Sequence, residues 1–473
     1  MSTIQTIVDL IYLLAAALFV IGLHLMNSPA TARKGSQFSV VGMVLAIAAT
    51  LAYLIDVGGV TTTGWIVLAA GFAIGGLVGL RSADKVKMTD IPQLVSIFNA
   101  VGGGAAALVA LTDFVHDKNL HLATIGPTPA VATALDILIG AVTFTGSIIA
   151  AGKLQGLISG SPIIIPGSKI INTILTVVGL GSAAFLFTGT TNTDVLILLL
   201  VAALLFGITL VLPIGGADMP VVISLLNAFT GTAVAMAGFV INSSALIIAG
   251  ALVGASGTIL TKLMADAMNR SIPNIMIGGF GQGETAAAVS GGVTGNIRQL
   301  SADDAAIQLS YAQKVVFVPG YGLAAAQAQR ELKDLAQLLE DRGVEVLFAI
   351  HPVAGRMPGH MNVLLAEVDV PYTQLYEMEA ANLEFPTADV ALVIGANDVI
   401  NPAARRPGNA ISGMPILDVD KAKNVIVIKR SMGQGYAGID NELYLDEKTS
   451  MFFADGKKGL ASIAAAVREL VAN

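Results

Sequence analysis

The chain has no cysteine, and only 12% of its 473 residues are charged. The lack of cysteine excludes disulfide bonds, thiolate catalysis and cysteine-based metal centres. This charged fraction is low, because in ordinary soluble proteins about 25% of the residues are charged. A formal net charge of −7 argues against nucleic acid as a partner, because the phosphate backbone binds basic surfaces.

Apolar residues make up 54% of the chain, and the mean hydropathy is +0.76. Dense charge is confined almost entirely to the part beyond Ala305. Two such different compositions in one chain imply two solvents, a bilayer and water. No lysine or arginine precedes Arg33, so the first apolar run lacks the basic start of a cleavable signal peptide and is expected to remain as a helix.

Nine apolar segments are close to the roughly 17–25 residues that a bilayer-spanning helix requires. They are Ile4–Leu25, Val40–Ile55, Trp65–Leu80, Leu94–Leu111, Val131–Ala151, Ile170–Phe187, Val195–Leu212, Val221–Ile241 and Ala245–Leu263. The sequence therefore predicts a polytopic α-helical membrane domain of about nine spans in residues 1–266, with the lipid bilayer as its surroundings.

Basic residues follow every second predicted span. Arg33 follows the first span, Lys85 the third, Lys169 the fifth and Arg270 the ninth, whereas the intervening loops carry only Lys118. Cytoplasmic loops are enriched in lysine and arginine. The pattern therefore predicts an N-terminus outside and a C-terminal domain in the cytoplasm.

Residues 267–305 are predicted to be a linker, because Gly278–Gly295 is rich in glycine and mostly polar. Beyond it, apolar strands alternate with helical segments. The predicted strands are Lys314–Pro319, Val344–Ile350, Ala388–Ile394 and Asn424–Ile428, and an amphipathic helix is predicted at Leu323–Arg342. This alternation predicts an α/β Rossmann-like domain with a parallel sheet in residues 306–473.

A G-x-G-x-x-A pattern directly follows the first predicted strand, with Gly320, Tyr321, Gly322 and Ala325 at its positions. In a dinucleotide-binding turn, Gly320 would permit the tight turn and Gly322 would let the backbone approach a pyrophosphate, while Ala325 would keep helix and strand close. The N–H groups at the helix start would face the phosphates. A purely structural turn is the alternative, but the strand–turn–helix context favours nucleotide binding.

The second predicted strand ends at Ile350 and His351, without the acidic residue that binds the ribose 2′-hydroxyl in NAD sites. Lys429, Arg430 and Ser431 instead follow the fourth strand, and two cations with a hydroxyl suit a 2′-phosphate. The three residues could equally be a solvated basic strand end. The missing acid favours NADP(H) as the cofactor.

Further candidates lie at strand ends, where open parallel sheets bind ligands. Arg356 could contact the pyrophosphate, and Asp398 could bind the nicotinamide amide, pair with a cation or simply cap a helix before Pro402. Tyr436 lies in a glycine-flanked loop that could close over the cofactor. The predicted cofactor-binding residues are Gly320, Tyr321, Gly322, Ala325, His351, Val353, Arg356, Gly395, Asn397, Asp398, Lys429, Arg430, Ser431, Gly435, Tyr436 and Ala437, and no metal site is predicted.

Polar side chains in the predicted spans are informative, because polar groups in lipid are costly and usually face a pathway. Asn99 and Asn227 lie within spans, Asp136 lies early in the fifth span near the outer surface, and Asp218 lies between two spans on the cytoplasmic side. Each asparagine could instead hydrogen bond a neighbouring helix. Their different depths favour a water-filled path.

Longer segments resemble a known family. Residues 140–146, 211–227, 351–365, 393–403 and 429–438 resemble the β subunit of proton-translocating NAD(P) transhydrogenase, and the order of spans, linker and terminal domain is similar over essentially the whole chain. The resemblance implies that this chain binds NADP(H), that a separate α subunit binds NAD(H), and that hydride transfer between them is coupled to proton movement. It also implies a bacterial inner-membrane enzyme, expected as a dimer of the α–β assembly.

The resemblance also implies residue roles. The Gly320 turn and the Lys429–Ser431 cluster would hold the cofactor phosphates, the Tyr436 loop would cover the cofactor, and Asp398 would serve coupling. In the membrane, the matching positions for proton passage or domain communication are Asp218, Asn227 and Gly257.

One position departs from the family pattern. Some members carry a proton-relaying histidine in the fourth span, where this chain has Asn99, which does not titrate. His24, the only histidine in a predicted span, is expected at the membrane interface. The titrating group would then come from the partner subunit, or a water chain through Asn99 and Asn227 would suffice.

Two other functions fit parts of the sequence. A transporter or channel gated by a cytoplasmic nucleotide-sensing domain would show ligand-gated flux without hydride exchange. A membrane-anchored dehydrogenase would need far fewer than nine spans.

Overall fold

A computed structural model of the chain describes residues 3–26, 29–119, 126–159, 162–163, 165–215, 218–268, 271–273, 275, 297–356, 359–407, 409, 411–435 and 437–472. The chain divides into two compact units. The helical unit comprises Met1–Lys87, Gln93–Ile214 and Val222–Thr261, and the sheet unit comprises Met88–Pro92, Gly215–Val221 and Lys262–Asn473.

Within the described ranges, nine helices are long and apolar enough to cross a membrane. They are α1 (Thr3–Leu25), α2 (Pro29–Val57), α3 (Thr62–Lys85), α4 (Ile91–Asn119), α5 (Pro127–Leu154), α6 (Ser168–Leu186), α7 (Thr193–Val211), α8 (Met219–Val240) and α9 (Ser244–Ala267). The prediction of a polytopic helical membrane protein is confirmed.

Several of these helices are longer than their predicted spans. The segment predicted at Val40–Ile55 lies inside α2, which begins at Pro29. The helix continues through polar residues such as Arg33, because helical hydrogen bonding does not require apolar side chains. Hydropathy therefore located the apolar part of each helix but not its ends.

Glycines permit close helix contacts inside the helical unit. A Cβ atom on Gly140 of α5 would lie 2.6 Å from the carbonyl oxygen of Gly103 on α4. A Cβ on Gly231 of α8 would lie 2.3 Å from the backbone nitrogen of Gly254 on α9. These residues therefore let helix backbones approach to a distance that any side chain would prevent, as is usual for helix pairs in lipid.

The sheet unit contains six parallel strands in the order β3-β2-β1-β4-β5-β6. The strands are β1 (Lys314–Pro319), β2 (Glu345–Ile350), β3 (Leu375–Glu377), β4 (Val390–Ile394), β5 (Asn424–Lys429) and β6 (Thr449–Phe453). This arrangement confirms the predicted Rossmann-like parallel-sheet domain. The strand order reverses between β1 and β4, which is where open sheets of this kind bind ligands.

Both faces of the sheet are covered, as parallel sheets require. Along β1, Phe317 packs in one buried core and Val316 and Val318 in another, because side chains on a strand alternate between faces. Among the described residues from 297 onward, the α-helices of the unit are α10 (Ala302–Ser310), α11 (Tyr321–Ala326), α12 (Gln329–Glu340), α13 (His360–Glu367), α14 (Met378–Glu384) and α15 (Gly456–Ala472).

Three local predictions differ from the structure. The helix predicted at Leu323–Arg342 is two helices, α11 and α12, since Gln327 between them has a φ of +50° and ends the first. Strands β3 and β6 were not predicted. β3 has three residues at the sheet edge, and β6 begins with the polar residues Thr449 and Ser450, so neither shows a clear apolar pattern.

Residues before 306 already contact the sheet unit. The carbonyl of Arg298 accepts a hydrogen bond from the N–H of Met451 at 2.8 Å, and α10 begins with a capping box formed by Ser301 and Asp304. Residues predicted as the end of the linker therefore belong to the folded unit. The glycine-rich segment predicted at Gly278–Gly295 lies outside the described residues.

Candidate functional site

The turns that follow β1 and β4 pack directly against each other at the switch point. The N–H of Gly320 donates to the carbonyl of Ile394, and the N–H of Gly322 donates to the carbonyl of Gly395, each at 2.9 Å. A Cβ on Gly322 would lie 2.6 Å from the Cα of Gly395, which itself has a φ of +65°. Glycine is needed here because one backbone turn lies against the other.

This packing determines which hydrogen bonds the glycines of the motif can make. The N–H groups of Gly320 and Gly322 already donate within the protein, so they are not the donors for a phosphate. Ala325 is exposed, whereas Leu323 and Ala324 are fully buried and hold α11 against the sheet. The expectation that Ala325 keeps helix and strand close is therefore wrong.

Asp398 lies at the carboxyl end of β4 and contacts the loop that follows β5. Its Oδ2 accepts a hydrogen bond from the N–H of Ala437 at 3.1 Å. A Cβ on Gly435 would lie 2.3 Å from Oδ1 of the same carboxylate. Asp398 is not the cap before Pro402, because Asn401 accepts the N–H of Ala403 at that position.

Lys429, at the end of β5, is oriented by neighbours on two sides. Its ammonium group lies 4.8 Å from the ring centroid of Tyr444 and donates to the carbonyl of Gly433. Burial lowers the pKa of Lys429, and the nearby Asp398 carboxylate acts in the opposite direction. The other two residues of the basic cluster, Arg430 and Ser431, are exposed.

Tyr444 and Asn441 are two buried residues that sequence reasoning missed. The Tyr444 hydroxyl lies 3.1 Å from the carbonyl of Ala396 and 2.9 Å from Oδ1 of Asn397, and it can donate to either. The Asn441 amide donates to the backbone and side-chain oxygens of Asn397, at 3.0 and 3.1 Å. Both residues lie more than 40 positions from Asn397, and no local pattern marks them.

The loop after β2 is organised by two buried histidines. His351 Nε2 lies 2.9 Å from the carbonyl of Pro415, and its Nδ1 accepts the N–H of Val353 at 3.3 Å. Burial lowers the pKa of His351 to about 4, so the ring is neutral, with the hydrogen on Nε2. His360 Nδ1 accepts the N–H of Arg356 at 3.0 Å.

Arg356 is brought to the turn after β1. Its guanidinium carbon lies 4.8 Å from the ring centroid of Tyr321. The loops after β1 and β2 therefore meet beside the switch point, as do the loops after β4 and β5. Tyr436, the predicted lid residue, lies outside the described residues.

In the helical unit, Asn99 connects α4 to α8. Its side-chain amide donates to the backbone carbonyl of Ile223 at 3.3 Å, and its backbone carbonyl accepts a hydrogen bond from the hydroxyl of Thr230 at 3.3 Å. Asn227 is half-buried on α8 between these two contacts. Residues 223, 227 and 230 share one helix face, so the predicted pair of asparagines lies along one helix contact.

Gly257 lies at the contact of α9 with α8. A Cβ at this position would lie 2.9 Å from the Cα of Ala228. The Gly257 carbonyl accepts the hydroxyls of Ser224 and Thr261, at 3.3 and 2.7 Å. Asp218 immediately precedes α8, and its N–H donates to the carbonyl of Gly215 at 3.1 Å.

The fold and the strand-end residues together define a class. Nine apolar helices in the described residues and a six-stranded parallel sheet with glycine turns at its switch point make this a multi-pass membrane protein with a Rossmann-like domain.

The model of the family described as NAD(P) transhydrogenase beta subunit matches residues 8–466. The chain is 48% identical, over 462 residues, to the NAD(P) transhydrogenase subunit beta of Rhodospirillum rubrum. That alignment covers 96% of this chain and 98% of the relative, and a second relative of the same name, from a strain of that species, gives the same values. The chain belongs to the NAD(P) transhydrogenase beta subunit family, and the predicted resemblance and assignment as an enzyme subunit are confirmed.

Proposed function

We propose that the chain binds NADP(H) and supplies the membrane part of an enzyme that couples hydride transfer between NAD(H) and NADP(H) to proton translocation. Membership of the transhydrogenase beta subunit family supports the redox reaction. The nine apolar helices support a transmembrane role. Hydride transfer is chemistry that nicotinamides carry out themselves, so the protein must provide position and control.

The charged residues at the strand ends support NADP(H), rather than NAD(H), as the cofactor. At the end of β2, the buried ring of His351 occupies the place where NAD-binding folds carry an acid. At the end of β5, Arg430 and Ser431 are exposed, and Lys429 is fixed beside them by Tyr444. Guanidinium, ammonium and hydroxyl groups together suit a phosphate monoester.

The candidate residues fit this cofactor by chemistry and location. Lys429, Arg430 and Ser431 would hold the 2′-phosphate beside β5. Arg356 and Tyr321 meet near the turn after β1 and would contact the remaining part of the cofactor. The adenosine ribose would then lie on the β5 side of the switch point rather than at β2, where NAD-binding folds hold it.

Other predicted cofactor residues lie in the turns that follow the neighbouring strands. Gly395 and Asn397 shape the turn after β4, and His351 and Val353 shape the loop after β2. Asp398 and Ala437 join the turn after β4 to the loop after β5. We propose that this connection lets the redox state of the cofactor alter the loop, since a ligand shifts a conformational equilibrium only through contacts that differ between states.

Titration calorimetry of the full chain in nanodiscs tests the cofactor assignment. NADP(H) should bind at least tenfold more tightly than NAD(H). Arg430→Ala should reduce NADP(H) affinity about tenfold or more, because one charge-assisted contact is worth about 1.5–3 kcal/mol. Arg342→Ala, which removes an exposed arginine elsewhere on the sheet unit, is the control. Equal affinity for both nucleotides, or binding of neither, would overturn the assignment.

The partner of this chain would be an NAD(H)-binding α subunit, and the α–β assembly would form a dimer. The isolated chain should bind NADP(H) but should not exchange hydride with an NAD analogue, whereas the co-expressed complex should do so. Nucleotide-dependent ion flux without hydride exchange would instead support a gated transporter.

The proposal assigns residues 1–266 to proton translocation and 306–473 to NADP(H) binding. The linker predicted at 267–305 would join them, with its last residues packed on the sheet unit. Asn99, Asn227 and Gly257 at the helix contacts, with Asp218 before α8, would serve proton passage or communication between domains. The chain would lie in a bacterial inner membrane with its N-terminus outside and its NADP(H) domain in the cytoplasm.

A further inference from the structure

Asp136 is a fully buried carboxyl group in the middle of the helical unit. Its exposed fraction is 0%, and neither carboxylate oxygen has a hydrogen-bond partner among the described residues. It is the tenth residue of α5, which places it about 14 Å from the start of that helix. The sequence predicted a position near the outer surface of the membrane, and the structure surrounds the residue with protein.

The residues that flank Asp136 along α5 are mostly apolar. The next residue, Ile137, packs in a core with Ala183 of α6 and with Leu196 and Leu199 of α7. An ionised carboxyl without a partner in such surroundings is very costly, whereas the neutral acid costs far less. The side chain therefore carries a proton in this conformation and can release it only when water or a partner reaches it.

Among the described residues, no charged side chain on the helices around Asp136 bonds to its carboxyl group. The described ionisable side chains are Asp113 and His116 on α4, Lys153 on α5 itself, Lys169 on α6 and Asp194 on α7. Among the described residues, none of these donates a hydrogen bond to Asp136. Helices α8 and α9 offer Lys262 and Asp266, which pair with each other.

Lys153, the other buried ionisable residue of α5, has hydrogen-bond partners in the protein. Its ammonium group donates to the carbonyls of Leu212 and Ile214, at 2.5 and 2.7 Å. These carbonyls lie just beyond the end of α7, so Lys153 acts as a C-terminal cap. The contrast identifies Asp136 as the buried ionisable group of α5 whose hydrogen-bonding capacity the fold leaves unused.

Asp136 belongs to a buried face of α5 that carries several small or hydroxyl-bearing residues. Residues 133, 136, 140, 143 and 147 follow the three- and four-residue spacing of one helix face, and all five are buried. The set consists of Thr133, Asp136, Gly140, Thr143 and Ser147. The face extends over about 21 Å along the helix axis.

The far end of this face reaches the helix that carries Asn99. Ser96 of α4 donates to the carbonyl of Ser147 at 2.8 Å, and Ser96 lies one turn before Asn99. Gly103 and Gly140 bring the two backbones together between Ser147 and Asp136. Water entering between α4 and α5 would complete a hydrogen-bonded connection from Asn99 to the Asp136 carboxyl.

We propose that Asp136 is the proton-carrying group of the helical unit, in the half of α5 remote from Lys153. One O–H bond forms when the carboxylate takes up a proton from one side of the membrane, and the same bond breaks when the proton leaves toward the other side. Asn99 and the hydroxyls of the α5 face would hydrogen bond the water molecules that conduct the proton, and they do not hold its charge. The proposal rests on the proposed function, because it names the residue that carries the translocated proton.

The test uses the complete α–β complex in proteoliposomes, with proton uptake followed by a pH-sensitive dye and hydride exchange followed in parallel. Asp136→Asn should reduce proton uptake at least tenfold while leaving NADP(H) affinity within threefold of wild type. Asp136→Glu should retain at least a third of the uptake. Asp194→Asn, at the exposed start of α7, is the matched control and should behave like wild type.

A merely structural role predicts a different result, because asparagine fills nearly the same volume as aspartate. Uptake in Asp136→Asn equal to that of wild type would overturn the proposal. If wild type exchanged hydride without any proton uptake, the proposed coupling itself would be wrong, and the two failures are therefore distinguishable.

Carbodiimide labelling of the wild-type complex provides a second measurement that does not depend on folding of a variant. An apolar carbodiimide reacts with protonated carboxyl groups in apolar surroundings. Peptide mass spectrometry should find the adduct on Asp136, in proportion to the loss of proton uptake. Loss of uptake with no adduct on Asp136 would contradict the proposal, even if Asp136→Asn failed to assemble.

Discussion

The carboxylate of Asp398 accepts a hydrogen bond from the backbone N–H of Ala437, with 3.1 Å between Oδ2 and the nitrogen. The two residues are 39 positions apart in the chain. Their contact joins the turn after β4 to the loop after β5, which begins with the basic cluster proposed to bind the 2′-phosphate. A substitution in the turn after β4 should therefore affect the loop after β5, and a substitution in that loop should affect the turn.

Replacing Asp398 tests whether its charge serves turnover rather than binding. In Asp398→Asn the amide oxygen can still accept the N–H of Ala437, but the negative charge near Lys429 is lost. We expect NADP(H) affinity within threefold of wild type and hydride exchange by the complex at least tenfold slower. Asp334→Asn, at an exposed position of α12, is the control, and loss of cofactor binding in Asp398→Asn would count against this role.

Gly435→Ala tests the close approach of the loop to Asp398. The new Cβ would lie 2.3 Å from Oδ1, so the loop must move away from the carboxylate. We expect at least a tenfold loss of NADP(H) affinity by calorimetry. Gly433→Ala is the matched control, because its Cβ would have only an ordinary contact, 3.4 Å from the Ser431 hydroxyl. Similar affinities of the two variants would show that the Gly435 contact does not position the loop.

Tyr444→Phe removes one hydroxyl and keeps the ring beneath Lys429. The buried oxygens of Ala396 and Asn397 lose a donor, which should destabilise the sheet unit by about 1–2 kcal/mol. Thermal unfolding of the detergent-solubilised chain should show a lower midpoint than wild type. Tyr311→Phe, where the side chain is 80% exposed, should leave the midpoint unchanged. An unchanged midpoint in Tyr444→Phe would mean that these hydrogen bonds contribute little.

His351 should make the sheet unit sensitive to acid. Burial lowers its pKa to about 4 in the folded chain, against 6.5 for a free histidine. Below pH 6.5 the unfolded chain therefore binds a proton that the folded chain does not, and stability is lost as the pH falls toward 4. The total effect is about 3 kcal/mol. Burial and the nearby Arg356 lower the pKa of His360 as well, which acts in the same direction.

His351→Gln isolates this contribution, since the glutamine amide can donate to the Pro415 carbonyl but does not titrate. The unfolding midpoint of the variant should fall less steeply than that of wild type between pH 6.5 and 4. His116→Gln, at an exposed position, should leave the slope unchanged. If the unfolding midpoints of wild type and His351→Gln fell equally with pH, His351 would not be the cause of the acid sensitivity.

Much of the fold could be predicted because its signals are local. The nine predicted apolar segments match the nine helices in the described part of the chain that are long and apolar enough to cross a membrane, since length and hydropathy are local properties. The β1 strand and its glycine turn were predicted from one contiguous stretch of sequence. The break at Gln327 and the short edge strand β3 could not be predicted, because the left-handed conformation of Gln327 and the pairing of β3 with β2 depend on packing partners elsewhere.

The residues of the candidate site could be predicted from the sequence, but the contacts between their loops could not. Sequence placed Arg356, Asp398 and Lys429 at strand ends, and the sheet brings the corresponding loops to one edge. It predicted a tight turn at Gly320 and Gly322, but not that their N–H groups donate to Ile394 and Gly395. That outcome required knowing that β4 lies beside β1.

Sequence by itself determined the two solvents of this chain, the apolar cores of its membrane helices, its parallel-sheet domain and its family, because composition, periodicity and contiguous motifs are properties of neighbouring residues. Tertiary structure alone decided that Asp398 meets Ala437, that Tyr444 supports Asn397, and that Asp136 is enclosed by other helices. Each of these facts depends on which distant segments share a surface, and that follows from packing of the whole chain rather than from any local pattern.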